Sequence, residues 1–267
     1  MGKVAKLLVI AGSDSGGGAG IQADVKTASA LGVYAATAIT AITAQNTRTV
    51  AAVEMLSPQI VAQQIATVLE DIRIDAIKIG MLGTAAITQA VSDALQGFSG
   101  PVVLDPVMVA KSGDVLLQDD AIAALRELLL PRATLLTPNL PEAAQLLGTE
   151  QATGSDQIGE QADALRDLGP EAVLMKGGHA SGTSCVDLLV DRERVTTFEL
   201  PRLSTRNTHG TGCSLSSAIA SEMAKGAAVE TAVSRAHGWL HGAIAAANSL
   251  HVGHGHGPVH HFHEVWS

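Results

Sequence analysis

Short apolar runs alternate with amphipathic stretches of ten or more residues along most of this chain. Residues 7–11, Leu-Leu-Val-Ile-Ala, read as a buried strand that stops at Gly12. Residues 20–31 read as a helix ended by Gly32. Residues 33–44, rich in Ala, Ile and Thr, hold another strand. Ser57 followed by Pro58 is a helix start, a cap and then the first turn, for a helix to about residue 72. Further strands are expected at 76–79, 102–104, 134–137 and 173–176, with helices at 84–96, 119–130, 141–147 and 157–168. Residues 185–190 and 195–200 read as an antiparallel hairpin turned at 191–193, and two helices follow at 212–225 and 229–248.

Strands alternating with helices of this length imply an α/β fold with a mostly parallel, doubly wound sheet. In such sheets ligands bind beyond the carboxyl ends of the strands. The polar and glycine clusters of this chain fall at those ends: Gly12 to Asp14, Gln45-Asn46, Gly80-Met81, Asp105-Pro106, Pro138-Asn139 and Lys176 to Gly178. They converge on one expected active site. No linker, repeat or low-complexity tract divides the chain, so residues 1–267 are read as a single domain.

Composition adds limits. Apolar residues make up 46% and aromatics only 2%, so the core must be built of Ala, Val, Leu and Ile. The formal net charge of −9, from 26 acidic and 17 basic residues, argues against a nucleic-acid surface and against an anionic membrane face. No apolar stretch approaches the ~20 residues of a membrane span. The two cysteines, Cys185 and Cys213, lie far apart without a C-x-x-C pairing, which fits a reducing cytoplasm.

The most chemically loaded stretch is Asn207-Thr208-His209-Gly210-Thr211-Gly212-Cys213-Ser214, just ahead of an Ala/Ser-rich helix. Backbone N–H groups at a helix N-terminus favour an anion, and glycines let it come close. The same field is expected to lower the pKa of Cys213 and make it a proton acceptor. An anion cradle beside a base points to phosphoryl transfer to a hydroxyl.

Other motifs keep two readings each. The Gly-rich run 12–20 follows a strand and opens a helix, but it lacks clean G-x-G-x-x-G spacing and the acidic residue about 20 positions on that a dinucleotide site needs. Asp14 and Asp24 beside it either touch a polar substrate or cap and solvate. Asp105 is a metal or substrate carboxylate, or a turn-forming Asp-Pro. Asn139 and Glu142, three apart at a helix start, form a capping box or hold water on Mg²⁺. Lys176, at the end of a buried strand, neutralises a transferring phosphoryl group or snorkels to solvent. The tail from His251 to His263 holds six of the ten histidines, a metal tract or a turn-rich terminus.

Several of these motifs occur together in order: residues 12–24, Thr43 to Asn46, Lys78 to Leu82, Asp105 to Met108, Lys111 to Asp114, Thr137 to Glu142, Lys176 to His179, Asn207 to Cys213 and the ending 253–261. In their number and order they resemble the hydroxymethylpyrimidine/phosphomethylpyrimidine kinases of thiamine biosynthesis, in the ribokinase-like superfamily. The resemblance runs from about residue 6 to the C-terminus. It departs at Ser15, where many members carry proline, a change expected only to loosen the turn.

The resemblance implies a three-layer α/β/α ribokinase-like sandwich, a homodimer, and MgATP as co-substrate. It implies two phosphorylations, of 4-amino-5-hydroxymethyl-2-methylpyrimidine and then of its monophosphate. By position, Gln45 bonds the pyrimidine ring, with Asp24, Met81 and Val107 lining its pocket beside Gly12 and Thr43. Cys213 faces the hydroxymethyl group, and Thr208, Gly210, Thr211 and Gly212 form the anion hole. Lys176 stabilises the transferred group. Asp105, Asn139 and Glu142 organise Mg²⁺. The tail histidines are then structural or near the nucleotide. Three alternatives remain: a pyridoxal kinase on the same scaffold, a hydrolase built on Cys213 and His209, and a small-molecule or metal-sensing binding protein.

Overall fold

The structure, a computed structural model, describes residues 3–108, 118–179 and 182–266. The Lys111 to Asp114 motif lies outside the described residues. Nine strands among them form one sheet: β1 (Lys6–Asp14), β2 (Tyr34–Gln45), β3 (Val50–Met55), β4 (Ala76–Ile79), β5 (Val102–Leu104), β6 (Leu135–Leu136), β7 (Ala172–Met175), β8 (Ser184–Val190) and β9 (Val195–Pro201). Their spatial order is β3-β2-β1-β4-β5-β6-β7-β8-β9. The six strands from β2 to β7 in that order pair in parallel, and β3, β8 and β9 are antiparallel additions at the two edges.

Helices cover both faces. On one lie α1 (Gly20–Ala30), α7 (Thr211–Ala224) and α8 (Val229–Ala245); on the other lie α2 (Pro58–Asp71), α3 (Ala85–Ala94), α4 (Asp119–Leu128), α5 (Leu140–Leu147) and α6 (Ser155–Arg166). Two cores result. One packs Val61, Ile65, Ile87 and Leu146 against Leu8, Ile77 and Leu104; the other packs Ile21, Leu215, Ile219 and Trp239 against Leu7, Val9 and Leu174. Strand residues alternate between the two cores because successive Cβ atoms point to opposite faces.

The expected element starts follow local chemistry. The Ser57 side chain accepts the Ile60 N–H and Pro58 opens α2. Gly148, at φ +68°, ends α5 in the left-handed region that glycine enters without penalty. Two features depart from the sequence reading. β1 does not stop at Gly12 but continues to Asp14 through a bulge between Ala11 and Ser13. The strand β3 was not expected at all; its residues are mostly exposed and carry no clean alternation, since only β2 pairs with it.

Helix α7 is buried without a break from Ser214 to Met223. Its serines make this tolerable, because each hydroxyl finds a partner: Ser216 donates to the Gly212 carbonyl, Ser217 to Asp24, and Ser221 to the Ser217 carbonyl. Small side chains let α7 seat its N-terminus directly over the carboxyl ends of the central strands. Among the described residues no helix is long and apolar enough to cross a membrane.

Candidate active site

Strand β1 is flanked by β2 on one side and β4 on the other, so consecutive connections run in opposite directions from it. That reversal opens a crevice at the carboxyl ends, the usual ligand position in an open α/β sheet. A cleft of about 670 Å³ lies there. It is lined by Gly12, Thr43, Gln45, Met81, Asp105, Val107, Asn139, Glu142, Lys176, Thr208, Gly210, Thr211, Gly212 and Cys213. The structure thus brings together every expected site residue except Asp24.

Asp24 is a correction. It lies on α1 with no solvent exposure, and both its oxygens are held at 3.0 Å by the Lys78 ammonium. Ser217 donates a third bond at 2.5 Å. Asp24 therefore supports the site from beneath and does not line it. Its partner Lys78, which the sequence reading assigned no role, borders the cleft floor while its side chain stays buried against Asp24. Burial works against the Lys78 charge, but the Asp24 carboxylate beside it holds its pKa above the usual lysine value.

One end of the cleft holds a charge cluster. Lys176 Nζ lies 2.7 Å from Asp105 Oδ1 and 3.8 Å from Glu142 Oε2. The Ser216 hydroxyl, which donates to the Gly212 carbonyl at 3.0 Å, also lies 3.2 Å from the other Asp105 oxygen. Burial would raise the Asp105 pKa, yet the Lys176 and Lys78 charges hold it low. Glu142 is pushed up to about 7 by burial and by the Asp105 charge, against the attraction of Lys176. Lys176 is neither snorkelling nor isolated, because its ammonium sits between two carboxylates that face the cleft. Asn139 and Glu142 form the full capping box of α5: Asn139 accepts the Glu142 N–H at 2.9 Å, and Glu142 accepts the Asn139 N–H at 2.7 Å. The capping role does not exclude the other, since Glu142 remains part of the cleft wall.

Against this cluster lies the N-terminus of α7. No side chain caps it, and its N-cap Gly210 has φ +78°. A Cβ at Gly210 would run into the Gly18 carbonyl, so only glycine fits where the two loops touch. A Cβ at Gly212 would stand 3.4 Å from Lys176 Nζ, which shows how closely the helix end approaches the lysine. At the other end of the cleft a Cβ at Gly12 would meet Met81 Sδ at 3.1 Å.

Cys213, half-buried on the first turn of α7, is a second correction. Its thiol pKa is not lowered but pushed up to about 11. Burial is the main cause; Lys78 pulls it down, while the Asp24 and Asp105 charges push it up. The field of the helix end is outweighed by desolvation and two carboxylates. The neighbouring His209 turns its Nε2 to Asp14 Oδ2 at 2.8 Å and to Gln45 at 3.5 Å, and among the described residues no hydrogen bond joins its ring to Cys213. Asp14 also accepts the N–H groups of Gly16, Gly18 and Ala19, so it organises the Gly-rich loop.

Ser15 is a third correction. Its hydroxyl accepts the Gln45 N–H at 2.8 Å and donates to the Gln45 carbonyl at 2.9 Å, so it ties the loop to β2 where looseness was expected. The tail is structural in the main. The His256 N–H and the Gly255 N–H bond the Thr47 carbonyl and hydroxyl, clasping the β2–β3 turn. His261, bonded to the Ser214 hydroxyl at 3.0 Å, has its pKa pushed down by burial to about 3. Among the described residues no three His, Cys, Asp or Glu side chains are placed to hold a metal ion by themselves.

Comparison with known proteins agrees with this geometry. The family model for phosphomethylpyrimidine kinase matches residues 14–260. A hydroxymethylpyrimidine/phosphomethylpyrimidine kinase of Rhizobium meliloti is 53% identical over 259 residues, covering 97% of each chain. A phosphomethylpyrimidine kinase structure from Clostridium difficile superposes with TM-score 0.80 at 42% identity, covering 91% of this chain and 100% of that one. A pyridoxal kinase from Staphylococcus aureus, solved with ADP, superposes with TM-score 0.91 at 33% identity over 99% of this chain and 96% of that one. The shared architecture is the ribokinase-like α/β/α sandwich. With the model match spanning most of the chain and half the residues identical to a curated member, this chain belongs to the phosphomethylpyrimidine kinase family.

Proposed function

We propose that this chain is an ATP-dependent kinase of thiamine biosynthesis that phosphorylates 4-amino-5-hydroxymethyl-2-methylpyrimidine and then phosphorylates the monophosphate to the diphosphate. The observation that carries the reading is one juxtaposition: Cys213, the uncapped end of α7 and the Lys176–Asp105–Glu142 cluster all line one cleft, with Gly212 of the helix end beside Lys176. That is the equipment for holding a phosphoryl group between an acceptor hydroxyl and a nucleotide. The structural likeness to a kinase solved with ADP supports ATP as the donor.

Gln45, Thr43, Gly12, Met81 and Val107 would hold the pyrimidine. Thr208, Gly210, Thr211 and Gly212 would present backbone N–H groups to the transferred phosphoryl, with Lys176 matching its charge. Mg²⁺ fits the donor set, because a cation that keeps several waters needs only one or two carboxylates plus phosphate oxygens. Asp105 and Glu142 would hold it, with Asn139 through water. Bound there, it would screen charge between the phosphates. Cys213 stands in the resting cleft as a protonated thiol. Its role as proton acceptor would therefore come late, once the hydroxyl oxygen has begun to bond phosphorus.

The reading of one kinase domain over residues 1–267 rests on a sheet that takes its strands from Lys6 through Pro201. A homodimer is the assembly that the family resemblance implies, and exposed Tyr34, Ile42 and Val53 on β2 and β3 offer apolar surface for it. The negative charge and the sparse cysteines support a cytoplasmic protein with no nucleic-acid or membrane partner. The likeness to a pyridoxal kinase favours pyridoxal phosphorylation as the second reading. The test is ADP released per molecule of hydroxymethylpyrimidine at completion, with MgATP in excess and pyridoxal in parallel. Two equivalents are expected. Turnover of pyridoxal alone would move the chain to the vitamin B6 branch.

A further inference from the structure

We propose that Thr47 is a positioning residue for phosphoryl transfer: through the tail segment 255–258 it fixes the spacing between the pyrimidine end of the cleft and the phosphoryl cradle at the start of α7. The inference rests on the pyrimidine kinase reading above. Thr47 lies in the β2–β3 turn, two residues after Gln45. The Gly255 N–H donates to its hydroxyl at 3.1 Å, and the His256 N–H donates to its carbonyl at 2.9 Å. The next carbonyl of the tail, that of Gly257, accepts the His209 N–H at 3.0 Å, and Pro258 pairs with His209 in an isolated parallel bridge. His256 Nδ1 adds a bond to the Arg206 carbonyl at 3.2 Å. His209 immediately precedes Gly210, the N-cap of α7. Within three residues, then, the tail is bonded to the turn on one side and to the cradle loop on the other.

The tail has little room to shift between these walls. A Cβ at Gly255 would run into the Thr47 carbonyl, and one at Gly257 would run into the Asn207 amide oxygen. Only glycine lets the backbone lie this close on both sides. A segment held in this way acts as a spacer. Neither wall can move outward without breaking a hydrogen bond, nor inward without a clash.

The turn does not need the Thr47 hydroxyl for its own shape. Asn46 Oδ1 accepts the N–H groups of Arg48 at 2.8 Å and Thr49 at 3.1 Å, which closes the turn locally. Ser15 pins the Gln45 backbone through both its N–H and its carbonyl. The Thr47 hydroxyl serves the tail instead. Phosphoryl transfer depends on how the acceptor oxygen stands relative to phosphorus, and a small misplacement costs rate. Loosening the spacer leaves the ring contacts of Gln45 in place and lets the cradle drift, so the loss falls on kcat.

The experiment compares Thr47→Val, which keeps the shape and loses the hydroxyl, with Thr47→Ser, which keeps the hydroxyl. Both kcat and the pyrimidine KM are read from ADP release at saturating MgATP. We expect Thr47→Val to lower kcat about fivefold with KM changed less than about twofold, as loss of one hydrogen bond felt in the transition state predicts, and Thr47→Ser to restore kcat. Gly255→Ala, which pushes the tail away from the same joint, should also lower kcat, and the double variant of Thr47→Val with Gly255→Ala should lose no more than the slower single variant. The two Thr47 variants decide alone where Gly255→Ala does not fold. A rise in the pyrimidine KM at unchanged kcat would overturn the proposal, because it would make Thr47 a local support for Gln45. An unchanged kcat, a Thr47→Ser variant as slow as Thr47→Val, or losses that multiply in the double variant would overturn it too. A wild-type protein that leaves the pyrimidine unphosphorylated would overturn the proposed function itself, and this inference with it.

Discussion

Lys78 holds both carboxylate oxygens of Asp24 at 3.0 Å, and neither side chain reaches solvent. The pair joins β4 to α1 directly beneath the cleft, and Ser217 links it to α7. It builds part of the site's electrostatics into the core.

Removing one member strands the other in a low-dielectric interior. Lys78→Met should lower the unfolding free energy by about 3–5 kcal/mol, the usual cost of an uncompensated buried charge. The double variant Lys78→Met with Asp24→Asn removes both charges and should recover most of that loss. Urea unfolding of the wild type and the two variants checks it. A double variant no more stable than Lys78→Met alone would mean that the pair matters for its shape and not its charge.

The raised Cys213 pKa predicts slow alkylation of the ligand-free protein. With a value of about 11, the thiolate fraction at pH 7 is about one part in ten thousand. The reactive form grows as pH rises, so the iodoacetamide rate should climb about tenfold per pH unit from 7 to 9 and show no plateau in that range. Cys185, whose thiol pKa burial also raises, must be replaced by serine so that only Cys213 reports. A plateau below pH 8 would show an activated thiolate at rest.

The two phosphorylations make unequal demands on Cys213. The first acceptor is a hydroxyl that must lose a proton; the second is a phosphate oxygen already ionised. Cys213→Ala should slow the first step about 100-fold, the lower range for a general base, and the second less than about 10-fold. Single-turnover measurements on each acceptor separate the steps. Equal losses would assign the thiol to shape or binding alone.

Much of the architecture was legible because it is written in short-range rules. The Ser57-Pro58 start of α2, the glycine end of α5 and the polar residues after β1, β5 and β7 all follow from what the next few residues do. The cleft residues were legible for the same reason: in an alternating α/β chain, the end of each parallel strand is a known place. What escaped was nonlocal. β3 depends on β2 for every ladder bond, and its exposed residues carry no strong period of their own. Ser15 looked like a weakened turn because its partner, Gln45, lies 30 residues away.

Local periodicity and turn chemistry were enough to specify the alternation of elements, the parallel sheet and the rim on which the site stands. They act over three to five residues and need no partner. Tertiary packing settled the chemistry of that rim: Asp24 went beneath the floor because Lys78, 54 residues away, neutralises it; His209 turned to Asp14 across 195 residues; and the Cys213 thiol stayed protonated. Charge, desolvation and hydrogen-bond direction depend on every group within a few ångströms, and only the folded chain decides which groups those are.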